Sequence, residues 1–154
     1  MKAIKVIGAY FAAVLVTFVL GSIFATQFIL GNLQDMGMTV TFADRFSATL
    51  HDVGGLSVIY LPVIGISFLI SLPVAAGIIK FVPNLRLVGY VLAGAVGLVT
   101  IHLVMKAVLG LTGIAATRTV MGLLSQGLAG AIGGYLFFRL TGLMQKEVPA
   151  VLTD

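Results

Sequence analysis

A small set of polar side chains stands out in an otherwise apolar chain. His102 and Lys106 are four residues apart, so any helix that carries them shows both on one face. Gln126 lies deep in another apolar run with Arg118 two turns before it, and Gln27 closes the first apolar run. An ionisable or strongly polar group at membrane depth is costly, which makes each of these a functional candidate. Each also has an ordinary role: a lysine near a helix end snorkels, a single histidine packs through a hydrogen bond, and a mid-span glutamine ties helices together. Their gathering toward one side of the membrane instead predicts an outward-facing polar pocket. In it His102, Lys106 and Arg118 would attract negative charge, and Gln126 and Gln27 would fix hydrogen bonds.

Asp44, Arg45, His51 and Asp52 fall in the segment just above that pocket and are expected to form its lid. His51 or His102 could move a proton in a reaction on a lipid-like substrate. No recognised catalytic motif accompanies them: no H-E-x-x-H, no G-x-S-x-G, no phosphate-binding glycine loop. The two histidines lack the spacing of a haem or metal site, and without Cys no thiolate site exists, so no metal or cofactor is expected.

The elements that must position these groups follow from composition. Of 154 residues, 60% are hydrophobic and 9% charged, with a mean hydropathy of +1.18. A soluble domain carries about 25% charged residues. Soluble, disordered and nucleic-acid-binding classes are thereby excluded, and the pI near 9.7 reflects scarce acids rather than a basic patch. The class is an all-α integral membrane protein.

About 20 apolar residues suffice for one crossing. Four segments qualify: about 4–30, 56–79, 87–111 and 119–140, read as antiparallel transmembrane helices of a single domain covering 1–154. The first run is too long for a signal-peptide core and is expected to be a retained helix. Lys2, Lys5, Lys80, Arg86, Arg139 and Lys146 flank one side, against Arg45, Lys106 and Arg118 on the other. By the positive-inside rule both termini are cytoplasmic, with a bacterial inner membrane as the expected location. No acidic residue falls within these spans, which argues against proton-coupled antiport.

The long outer connection, 31–55, carries its own signal. Thr41-Phe42-Ala43-Asp44 has capping-box form, and Phe42, Phe46, Leu50 and Val53 then recur at helical spacing before Gly54-Gly55. A short amphipathic helix over about 42–53 is expected, lying on the outer surface or over the pocket.

Small residues are patterned as well. Gly89, Ala93 and Gly97 in helix three and Gly122, Gly130 and Gly134 in helix four repeat every fourth residue or a multiple of it, the spacing that lets membrane helices approach closely. Helix two holds Pro62 and Pro73, with Ser67 and Ser71 placed to satisfy the carbonyls they free.

Three functions fit these signals. The first is an oligomeric module that binds or transports a lipid-like or small anionic ligand in the outer pocket, with membrane lipids as partners. The second is a non-catalytic accessory subunit whose small-residue faces dock a larger membrane protein. The third, an enzyme acting on a lipid-like substrate, has the least support, and nucleic acid is not an expected partner.

Overall fold

The computed structural model describes residues 2–110 and 114–146, and they form helices with no strand among them. Helix α1 is Lys2–Asp35, α2 is Phe42–Ile79, α3 is Arg86–Leu109 and α4 is Val120–Lys146. Single 3-10 turns, Pro83–Leu85 and Ala115–Arg118, lead into α3 and α4. All four helices are long and apolar enough to cross a membrane, which suggests a multi-pass membrane protein. The expected end of helix three at Leu111, and the chain ends at 1 and 147–154, lie outside the described residues.

Local chemistry sets the helix ends. Asp44 and Thr41 bond reciprocally as a capping box: Asp44 N–H donates to Thr41 Oγ1 at 3.2 Å, and Thr41 N–H donates to Asp44 Oδ2 at 2.9 Å. Gly37 after α1 and Gly110 after α3 take φ of 87° and 64°, the left-handed conformation in which glycine ends a helix without strain.

Two expectations need correction. The segment 42–53 is no separate amphipathic helix, because α2 runs unbroken from Phe42 through Gly54-Gly55 to Ile79. Likewise α1 continues past Gly31-Asn32 to Asp35, so the connection is 36–41 rather than 31–55. At about 1.5 Å per residue, α1 and α2 measure about 51 and 57 Å, against a hydrocarbon layer of about 30 Å. The physical reason is mutual support. Gly54 and Gly55 have no left-handed φ, and the N-terminal turns of α2 are tied by hydrogen bonds to the extended end of α1.

The bundle buries several polar side chains within a hydrophobic core and turns apolar ones outward. Gln126, Thr17 and Ser22 are fully buried, while Val58, Phe81 and Val108 are about three-quarters exposed or more. In water that arrangement would expose apolar surface to solvent.

Glycines set the closest packing. A side chain on Gly94 would overlap the Gly130 carbonyl, one on Gly130 would overlap the Gly94 carbonyl, and one on Gly134 would overlap the Tyr90 carbonyl. Backbones of α3 and α4 therefore meet directly. Gly89 and Gly97 instead face α2, against Ile79 and against Ser67 and Ser71. Gly122 packs on the Ala116 carbonyl and half-buried Ala93 faces a groove described below. The α4-facing glycine of α3 is thus Gly94, one position off the row that the sequence spacing had singled out.

Candidate functional site

The buried centre is built from all four helices. Tyr60 on α2 donates its hydroxyl to Gln126 Oε1 on α4, and Gln126 Nε2 donates to the Gly21 carbonyl of α1 at 3.1 Å. Gly21 has to be glycine here, because a Cβ would overlap the Tyr60 hydroxyl and lie 2.8 Å from Gln126 Oε1. His102 on α3 is buried, its ring edge-on to Tyr60 at 5.9 Å. Its Nδ1 donates to the Leu98 carbonyl at 2.7 Å; a carbonyl can only accept, so Nδ1 carries a proton. Nε2 is buried with no hydrogen-bond partner.

His102 and Gln126 therefore reach the same region, bridged by Tyr60. The other expected pocket residues do not join them. Lys106 and Arg118 are exposed, and among the described residues no Lys or Arg is buried in the centre. Gln27 belongs to a separate clamp between α1 and α2: it accepts from Arg45, which also donates to Gln34 Oε1, and Gln27 Nε2 donates to Thr49 Oγ1 at 3.2 Å.

The proposed lid residues divide in the same way. Asp52 accepts from Thr26 Oγ1 at 2.7 Å, Asp44 serves the helix cap, and His51 is exposed about 14 Å along α2 from Tyr60. Arg45 and Asp52, seven apart on one face as the spacing requires, pin α2 to α1. Phe42, Phe46 and Leu50 point outward, at 84%, 61% and 61% exposure. The segment fastens a helical hairpin, and none of its residues lines either of the two grooves described below. Among the described residues no group of three metal-ligating side chains gathers.

A further feature lies on the α2–α3 face, where a groove of about 650 Å3 opens to the outside of the bundle. Its walls are aliphatic apart from Ser67, Ser71 and Thr100, and its floor includes Gly89, Ala93 and Gly97. Neither Ser67 Oγ nor Ser71 Oγ has a hydrogen-bond partner, so these serines do not satisfy carbonyls freed by the prolines. This departs from the usual habit of a helical serine or threonine, which bonds back three or four residues, as Thr26 does to the Ser22 carbonyl at 2.9 Å.

A second groove of about 470 Å3 is lined by residues of all four helices. Two of its hydroxyls are engaged: Tyr10 donates to the Gly65 carbonyl and Thr141 to the Phe137 carbonyl, each at 2.7 Å.

Sequence reasoning passed over Tyr60 and Gly94. A tyrosine inside an apolar span was the available signal for the first, since a buried phenol needs a partner. Gly94 has no small residue four positions away on either side, so the small-x-x-x-small search could not find it. Compared with family models, curated proteins and solved structures, the chain matches none.

Proposed function

We propose that this chain is a multi-pass membrane protein that binds a lipid-like molecule in the α2–α3 groove. The groove itself carries the reading. Ligand sites are concave, about 300–1,000 Å3 and mostly apolar, and this one offers about 650 Å3 between nearly all-aliphatic walls. Of the two ligand classes that the polar residues invited, the small anion loses support, since the cations stand outside the buried centre. The lipid-like ligand gains it.

Contacts between the helices support an alternating passage across the bilayer. Tyr10 meets Gly65 while Thr26 meets Asp52, and Arg86 meets Thr141 while Gly94 meets Gly130. Four alternating crossings would place both ends of the chain on the side richer in Lys and Arg, the cytoplasmic side of a bacterial inner membrane by the positive-inside rule.

The accessory-subunit reading requires small-residue faces left open for a partner. Gly89, Gly97, Gly122, Gly130 and Gly134 are all taken up by contacts within the chain. The same observation removes the packing argument for an oligomer.

The test is purification in mild detergent followed by native mass measurement and solvent extraction. Wild type should retain a lipid-like molecule in defined ratio. Ala93→Phe, which extends a side chain into the groove, should lose it while keeping its thermal midpoint, and Val74→Trp should do the same from the opposite wall. Retention by both folded variants at the wild-type level would show that the groove is not the site.

A further inference from the structure

We infer that the second groove is a site for an anionic phospholipid, with an acyl chain in the groove and the phosphate on Arg86. The inference stands apart from whatever occupies the α2–α3 groove.

Shape is the first argument. On α2 the groove runs from Ala76, near the end of the helix, inward to Phe68, about 12 Å. That is close to the depth of one leaflet in a hydrocarbon layer of about 30 Å. Buried Phe68, Tyr90 and Phe137 form its base, and exposed Phe11 and Leu69 its rim, so it opens outward along its length. A chain lying along the bundle fits such a slot.

The second argument is the cation at its end. Arg86 begins α3 one turn before Tyr90, and Thr141 lies one turn beyond Phe137 on α4. Arg86 Nη2 donates to Thr141 Oγ1 at 2.7 Å, and its guanidinium carbon stands 5.7 Å from the Tyr90 ring centre and 5.0 Å from that of Phe138. Tyr90 and Thr141 line the second groove, and neither lines the α2–α3 groove. Arg86 is half-buried and held in place by these contacts. Its bond to Thr141 takes one of five N–H groups, and a phosphate suits the forked donors that remain.

The third argument is charge complementarity. Asp35, Asp44 and Asp52, the acidic residues among the described ones, all lie at the opposite end of the bundle. Exposed Lys80 adds a second cation at this end, one turn past Ala76 on α2. Basic pockets between membrane helices at one face take lipid headgroups. A neutral lipid would leave Arg86 without a counter-charge, and a free phosphate would leave the groove empty. An anionic phospholipid answers both.

The experiment titrates the full chain, solubilised in detergent, with two lipids of identical chains, read by native mass spectrometry. Dioleoylphosphatidylglycerol carries an ionised phosphate, and dioleoylglycerol carries none. Wild type should bind the first about tenfold more tightly, the scale expected for hydrogen bonds between charged groups. Arg86→Gln should remove that preference and leave dioleoylglycerol unchanged. Thr141 keeps its bond to the Phe137 carbonyl in this variant, so no buried hydroxyl is stranded and the lipid-free thermal midpoint should stay close to wild type. Ala76→Phe, which fills the groove, should weaken both lipids, and Ala93→Phe, which fills the other groove, should weaken neither.

Equal binding of the two lipids by wild type, a reading that needs no variant, would overturn the inference. So would an equal loss of both in Arg86→Gln, or unchanged binding in Ala76→Phe. Displacement of the phospholipid by millimolar inorganic phosphate would make this an anion site rather than a lipid site. Loss of phosphatidylglycerol in Ala93→Phe alone would place the lipid in the α2–α3 groove instead.

Discussion

Single side chains here divide into those whose hydrogen bonds are complete and those whose bonds are open, and the two kinds should respond oppositely to removal. Gln126 is fully buried and serves Tyr60 and the Gly21 carbonyl at once. Gln126→Leu strands both partners, and a stranded buried group costs about 1–3 kcal/mol. Unfolding in detergent should show a loss of that order, reduced when Tyr60→Phe is combined with it, because the second change removes one stranded partner. Two additive losses would mean that the pair is not coupled. Ser67→Ala and Ser71→Ala remove hydroxyls that nothing in the chain satisfies, so stability should hold or rise; a clear fall in thermal midpoint would show that they bond within the protein after all. The sequence made His102 and Gln126 legible because polar groups in apolar runs are conspicuous. It could not show that Tyr60 joins them, since that depends on how three helices meet. Nor could it show that Lys106 and Arg118 stay at the surface, because a long cationic side chain near a helix end can turn either way.

Among the helices, the four apolar runs were plain from length alone, and the capping box at Thr41 marked the start of α2. The stop signal at Gly54-Gly55 misled for a definite reason. Glycine ends a helix by taking a left-handed φ, and whether it does so depends on what the chain gains by continuing. Here continuation lets Arg45, Thr49 and Asp52 bond to α1. Gly54 and Gly55 touch nothing within 4 Å of a would-be Cβ, so each is a plain helix-interior glycine. Gly54→Ala and Gly55→Ala should therefore each stabilise by about 0.5–1 kcal/mol, measured as a rise in unfolding midpoint. A helix broken at that point would instead lose stability. Gly130→Leu should act the other way, forcing apart backbones that already meet at Gly94. Aggregation or a large drop in midpoint is expected, and a neutral outcome would contradict the direct contact of α3 with α4.

Taken whole, the molecule is a bundle whose outside is apolar and whose first two helices outreach the other pair. Topology is tested by single cysteines introduced at two exposed positions, Ser47 and Asn84. A membrane-impermeant thiol reagent applied to intact cells should modify position 47 and spare position 84; the reverse pattern would invert the orientation. The central claim, that the α2–α3 groove holds a lipid-like guest, meets its most direct test in site-specific photo-crosslinking within native membranes. A photoreactive residue would replace Val96, which lines the groove, or Leu128, which is exposed on α4 outside it. The account predicts one discrete adduct mass at position 96, depleted by Ala93→Phe, and only a mixture of bulk phospholipid adducts at position 128. The same bulk phospholipid mixture at both positions would contradict it.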